Sequence, residues 1–399
     1  MQRKIALLIV PSSDNQIRMI RGVMDYAKEF PHFRITKNAA IPYIPWSMVN
    51  QINCDGIIAY AETEEQIDQL ASLNIPAVNL TLHTQPVENI PVVHSDNALI
   101  GQLAAEHLMS AGLRRFVFIG HSPWHHNQLR RDGFTNSLAQ HGFDTHQIDV
   151  EFESVIREDL STRRINQADL LKAIAAIPTP FGVFAAHDEF SYEVVEACKA
   201  LNRVVPYDVA VIGVNDYKLI CESTEPPLSS IAQNSERIGY LAAELVDQLI
   251  NGAEPTASPV YVTPDKLIVR RSSDFLALED SDLIPIVQYI REECHRPITV
   301  TDLAERFNLG RKTLDERFKA SLGHTVSKEI RLSRIRTARE LLTTTQMRII
   351  DVGFSCGFDS TSGFVRAFRE STGYTPGQIR LGENQPRVEI ETSPNAHIK

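Results

Sequence analysis

Through residue 250, short β-rich apolar runs alternate with stretches whose apolar residues recur at helical spacing. The order is IALLIV then 16–30, DGIIAY then 64–73, AVNL and PVVHS then 97–111, RFVFIG then 128–141, FGVFA then 189–201, and VAVIGV then 235–251. Near-continuous apolar strands between amphipathic helices predict parallel sheets covered on both faces. So many repeats predict two such sheets, an α/β body of two lobes.

Ligands of such sheets gather beyond the carboxyl ends of the strands. Polar residues recur there: Asp14 and Asn15 after the first strand, Trp124 and Arg130 after RFVFIG, Asp188 after FGVFAAH, and Asn215 with Asp216 after VAVIG. Carboxylates and carboxamides bond vicinal hydroxyls, Arg fixes ring oxygen and hydroxyl together, and an aromatic face stacks on sugar C–H bonds. Each Asp or Asn taken singly reads equally well as a helix cap. Their recurrence points to a pocket for a small polyol.

The pattern changes in the last third. In 346–380, QMRIIDVGFSCGFDSTSGFVRAFRESTGYTPGQIR, Ile349, Ile350 and Val352 give a short helix an apolar side, and Gly353 allows close approach of a neighbouring backbone. Gly357 permits a sharp turn. Phe364, Ala367 and Phe368 then line the inner face of a second helix, leaving Thr361, Ser362, Val365, Arg366 and Arg369 outward. This is the layout of a helix-turn-helix whose second helix enters the major groove. A plain amphipathic hairpin would share it, but residues 299–322 repeat the plan. There Leu303, Ala304 and Phe307 precede a turn at Asn308-Leu309-Gly310, and Leu314, Phe318 and Leu322 follow it. Thr299 and Asp302 read as a capping pair. Residues 326–342, with Ile330, Ile335, Ala338 and Leu341 on one face, read as one helix joining the two copies.

Charge divides the same way. The 399 residues carry a net charge of −10, yet 280–381 holds 16 Lys/Arg against 13 Asp/Glu, about +3, which leaves about −13 for the rest. From Arg306 to Arg339 ten Lys/Arg face three Asp/Glu. That local excess is an electrostatic footprint for phosphate contact. A length of 399 predicts two or three domains. The acidic, polar stretch 273–283 reads as a linker between a domain at 1–272 and one at 284–381, and the tail 382–399 reads as disordered.

Other chemistries find little support. Five cysteines without a CxxC pair predict reduced thiols in a cytoplasmic protein. The start MQRKIALLIVPSSDN has only six apolar residues before Pro11, too few for a secretory core, and no run reaches the length of a membrane span. Gly120-His121-Ser122 suggests a hydrolase elbow, but Trp124 stands where that turn needs a small residue. Histidines cluster between 83 and 146, including His125-His126, but adjacent side chains diverge and no HExxH or Cys/His cluster accompanies them, so no metal is expected. With no GxGxxG or Walker loop, no nucleotide cofactor is expected, and no catalytic pair marks an enzyme.

Two resemblances extend this reading. Residues 284–380 resemble the double helix-turn-helix DNA-binding domain of AraC-type transcription regulators, the closing pattern being nearly complete in GF-SCGF-DSTSGF-VRAF-REST-GYTP. The resemblance implies that Arg311, Lys312, Asp315 and Glu316 face DNA from the first recognition helix, and Thr361, Ser362 and Arg366 from the second. Asp315 and Glu316 depart from the polar or basic residues common there. Residues 4–272 resemble the sugar-binding domain of LacI-type repressors and periplasmic sugar-binding proteins, through VVHSDNALIGQLAAEHLMSAGLRRFVFIG, RRDGF, AAHDEFSYEVVEACKALNRVVPYDVAVIGVND and PPLSSIAQNSERIGYLAAELV. Carried over, Arg130, Asp188, Asn215 and Gln233 are sugar contacts, with Asn215 where Asp is commoner. The usual N-terminal headpiece does not precede the first strand at Ile5. Together the resemblances imply a cytoplasmic, homodimeric transcription regulator that binds promoter DNA and a monosaccharide, D-xylose or a related sugar. They also imply activation of pentose catabolism genes through RNA polymerase, with no cofactor.

Overall fold

A computed structural model of the chain describes residues 2–36, 42–156, 161–255, 258–275 and 280–381, without the side chains of 152–156, 161–165, 281, 340 and 344. The expected tail at 382–399 and positions 276–279 of the expected linker lie outside the described residues. The chain falls into two compact units, one up to residue 277 and one from residue 278.

The first unit has two α/β lobes. One holds four parallel strands in the spatial order Phe33–Ile35, Arg3–Leu8, Gly56–Ala59 and Ala77–Asn79. The other holds six, in the order Lys266–Ile268, Ser229–Ala232, Val209–Val214, Phe181–Ala185, Phe116–Gly120 and Thr145–Asp149, all parallel except Lys266–Ile268. Val93–Ser95 pairs with Val260–Val262, and Phe152–Ile156 forms an antiparallel pair with Ser161–Ile165. The expected alternation is present, with boundaries moved by a few residues. The sheet runs are apolar because both faces are covered: Ile5, Leu7 and Ile58 pack under helices Asp14–Glu29 and Ser235–Ile250, while Val183, Phe184 and Val211 fill the core of the larger lobe.

Seven strands were not legible in the pattern, four of them for a definite reason. Thr145–Asp149 is an edge strand exposed on one side, and Val260–Val262 and Lys266–Ile268 are three residues each. Ser229–Ala232 is fully buried yet opens with two serines, because Ser229 donates to the Arg270 carbonyl and Ser230 to Asp188.

The chain crosses between the lobes after Ser95, Ala232 and Val262. Two helices that follow or face these crossings are drawn together by glycine. A Cβ on Gly101 would lie 2.2 Å from the Arg130 carbonyl, and one on Gly133 would lie 2.1 Å from that of Ala98. Helices Asn97–Ser110 and His125–Ala139 therefore cross backbone to backbone, which brings Arg130 under the first crossing.

The second unit is helical among its described residues: Ile284–Glu293, Val300–Arg306, Arg311–Leu322, Val326–Thr344, Ile349–Ser355, Thr361–Thr372 and Pro376–Arg380. The Thr299/Asp302 capping box forms, Thr375 and Gln378 form another, and the side chains of Thr325 and Ser360 each accept from the backbone N–H three residues on. Gly357 adopts φ +82 in the second turn, and in the first turn Asn308, at φ 53, takes the left-handed position. The linking helix packs Ile335, Ala338 and Leu342 against Val352, Phe364, Ala367 and Phe368. Three details differ from the sequence expectation. Gly353 makes room for the Phe364 ring instead of a backbone, Val365 is half-buried against this core, and Ile350 is exposed. Val352 and the C-cap residue Cys356, four positions apart, face the core, which leaves Ile350 on the opposite side of the helix.

Candidate functional site

In the first unit the strand ends and the first two crossings converge on one hydrogen-bonded cluster. Arg130 is its largest member and is 1% exposed. Its Nε donates to Asn97 Oδ1 at 2.9 Å and its Nη1 to the Ala186 carbonyl. Asn97 in turn donates to the Ser95 carbonyl and to His94 Nδ1, so the guanidinium is anchored to the first crossing. No carboxylate among the described residues pairs with it, and burial lowers its pKa to about 10. A buried cation held only by neutral acceptors retains capacity for a further polar partner.

The second crossing supplies Gln233. Its Oε1 accepts from Ser95 Oγ at 2.8 Å, and its Nε2 donates to Asn215 Oδ1 at 2.6 Å. Asn215 Nδ2 donates to His187 Nδ1 at 3.4 Å. His187 Nε2 then faces two acceptors, Asn127 Oδ1 and His126 Nε2, both at 3.1 Å. His126 Nδ1 reaches the Leu82 carbonyl in the other lobe at 3.2 Å. Burial, then the Arg130 charge, lowers His94 to about 3 and holds His126 and His187 well below the usual imidazole value, so all three are neutral at pH 7.

Trp124 lies over this cluster. Its ring stacks on His126 (centroids 5.6 Å, 25° between planes) and on Phe190 (6.4 Å, 15°), with His83 and His187 edge-on. Trp124, Arg130 and Asn215, proposed from strand ends, and Gln233, which only the resemblance implied, thus meet in one place.

Asp188, Asp14 and Asn15 have different surroundings. Asp188 is fully buried, and its carboxylate accepts from Ser230 Oγ at 2.6 Å and from the Tyr217 backbone N–H at 2.8 Å. Burial pushes it up to about 8 against those two bonds. Asn15 Oδ1 accepts from Arg18 and from Ser235, and half-buried Asp14 stands in the first turn of its helix. His83, His126, Asn127 and His187 were missed by the sequence reading. The adjacent side chains of His125 and His126 do diverge, but His126 points inward, to partners from three other segments. The one local signal was His187 directly before Asp188 at a strand end.

In the second unit, Arg311, Lys312 and Glu316 are exposed on Arg311–Leu322, with Lys312 and Glu316 3.8 Å apart. Asp315 is half-buried and accepts from the Val326 N–H at 3.2 Å, bracing the start of the linking helix. On Thr361–Thr372, Ser362 and Arg366 are exposed and Thr361 half-exposed. Arg366 lines a concavity of about 440 Å³ with Arg331, Arg334, Phe358, Asp359 and Glu370. Arg334 is spent on the carbonyls of Cys294 and Arg296, whereas Arg366 extends from the outer face of the helix. A cationic side chain on the exposed face of a second helix after a tight turn can read a base edge or a phosphate.

A two-lobed ligand-sensing fold followed by two helix-turn-helix units defines a ligand-responsive, DNA-binding transcription regulator. Residues 105–273 match the model of a periplasmic binding protein-like domain, and residues 303–382 that of a helix-turn-helix domain. The chain is 27% identical to the xylose operon regulatory protein of Haemophilus influenzae over 84% of its own length and 86% of that protein. To the protein of the same name from Escherichia coli K12 it is 28% identical, over 82% and 83%. A solved structure titled as the xylose-binding transcription activator xylR superposes with a TM-score of 0.77 at 25% identity, covering 96% of this chain and 98% of that one. No helix among the described residues is long and apolar enough to cross a membrane.

Proposed function

We propose that this protein is a sugar-responsive, sequence-specific transcription regulator whose effector is D-xylose or a closely related monosaccharide, and that it activates pentose catabolism genes. The observation that carries the sensor half is Arg130, buried at the lobe crossing with neutral acceptors only, beside Trp124, Asn215 and Gln233. Neutral amides, imidazoles and one guanidinium beside an indole face suit hydroxyls and sugar C–H bonds. The sensor comprises 1–272 and the reader 284–381, joined by 273–283.

Effector binding can alter DNA binding only through different affinities for the conformations of the protein. In the reader, Arg311, Lys312, Thr361, Ser362 and Arg366 present donors to DNA, and Glu316 can accept from a cytosine amino group. The protein acts in the cytoplasm as a homodimer that contacts RNA polymerase at the promoter. Calorimetry with D-xylose, L-arabinose, D-ribose and D-glucose, followed by gel shifts on promoter DNA with and without the sugar that binds, tests this reading. No heat of binding with any of the sugars overturns it for the sensor, and no salt-sensitive DNA binding overturns it for the reader.

A further inference from the structure

The cluster around His187 is one hydrogen short. Asn127 Nδ2 donates to the His121 carbonyl, leaving Asn127 Oδ1 turned to His187 as an acceptor. The His187 Nε2 therefore carries the hydrogen. Its Nδ1 is bare, because Asn215 Nδ2 donates to it while Asn215 Oδ1 is taken by Gln233. On the other ring, His126 Nδ1 carries the hydrogen given to the Leu82 carbonyl, so its Nε2 is a lone pair. One hydrogen, on His187 Nε2, thus stands 3.1 Å from two acceptors, Asn127 Oδ1 and His126 Nε2. A single N–H serves both only as a weak, forked bond.

Resting on the sugar-sensor reading, we infer that His126 Nε2 is the acceptor for one hydroxyl of the bound sugar, and that this contact sets which sugar hydroxyl the sensor requires. A hydroxyl entering here donates its hydrogen to His126 Nε2 and releases the His187 N–H to Asn127 alone. Both acceptors are then satisfied. Stacking on Trp124 and the bond to Leu82 fix the direction of the His126 lone pair, so a hydroxyl of the wrong configuration misses it. A C–H in place of the hydroxyl leaves the forked bond as it stands.

The experiment measures affinity calorimetrically for D-xylose and for its 2-, 3- and 4-deoxy analogues, on the full-length wild type, His126→Phe and His126→Gln, with folding checked by thermal unfolding. In the wild type one deoxy analogue should lose about threefold to tenfold more affinity than the others. In His126→Phe that difference should vanish, and in His126→Gln, whose amide oxygen can accept, it should partly return. If His126→Phe does not fold, His126→Asn replaces it, its shorter side chain withdrawing the acceptor. The same deoxy pattern in wild type and acceptor-free variant overturns the inference while leaving the sugar sensor intact. Failure of the wild type to bind D-xylose or any other sugar tested overturns the sensor reading itself.

Discussion

Arg18 donates from Nη2 to the backbone carbonyl of Asn215 at 3.0 Å, and the two residues belong to different lobes of the sensor. The same guanidinium bonds Asn15 Oδ1, which also accepts from Ser235 beside the second crossing. Asn215 has φ +115 and Asp216 φ +50, conformations that side chains with a Cβ rarely hold without support. Arg18 is thus a tie between the lobes and part of that support. Arg18→Ala should weaken sugar binding about tenfold, chiefly by faster dissociation, with sugar-free DNA affinity unchanged. Stopped-flow dissociation and gel shifts measure the two effects.

Arg130 and Asp188 should respond differently to removal, although both stand at strand ends. Arg130→Ala removes a polar group with spare bonding capacity and should lower sugar affinity tenfold or more. Asp188→Ala leaves the buried Ser230 O–H and the Tyr217 N–H without their acceptor. It should cost about 2–4 kcal/mol of sensor stability, visible as a lower melting temperature without sugar. An unchanged melting temperature for Asp188→Ala would show that those donors find other partners.

Acid should destabilise the sensor. His94, His126 and His187 are neutral when folded, with pKa lowered first by burial and then by Arg130, so the unfolded chain takes up their protons near pH 6.5 and the folded one does not. Their stabilising contribution is complete above about 6.5 and is lost as pH falls. Asp188, raised to about 8, has the opposite sign, since its contribution is lost as pH rises toward 8. Each group changes stability by at most about 1.4 kcal/mol per pH unit, so three histidines outweigh one aspartate between pH 6.5 and 5. The melting temperature of the sensor should fall over that interval.

In the reader, the fully buried Glu329 carboxylate collects His324 Nε2 at 2.8 Å, Arg336 at 3.4 Å and Arg291 at 3.6 Å. These partners come from two helices and the loop before the linking helix. Glu329→Ala removes the carboxylate shared by Arg291, Arg336 and His324 and should cost about 3–5 kcal/mol, read as loss of the reader's unfolding transition and of DNA binding together.

Arg366→Ala should reduce discrimination at one base position in the half-site bound by the second unit, at a cost of about 1–3 kcal/mol if the contact is bidentate. Titration of matched and base-substituted operators at several salt concentrations distinguishes this from a phosphate contact, which would weaken all sequences alike and flatten the salt dependence. Asp315→Ala should mainly cost stability, about 1 kcal/mol, because its carboxylate holds the Val326 N–H.

The sequence by itself determined the alternation of strands and helices, the two-lobed sensor, both helix-turn-helix units and the Thr299/Asp302 cap, because apolar periodicity and capping act over a few residues. It also marked Trp124, Arg130, Asn215 and Gln233. Only the tertiary structure decided what those residues meet. Asp188 is occupied by Ser230, which lies 42 residues further on. His126 and His187, 61 residues apart, face each other because two glycines let one pair of helices cross closely while the sheet order places Phe181–Ala185 beside Phe116–Gly120. A hydrogen bond between distant segments leaves no periodic trace in either of them, and which polar group stays open to a ligand depends on how many donors the fold has gathered around it.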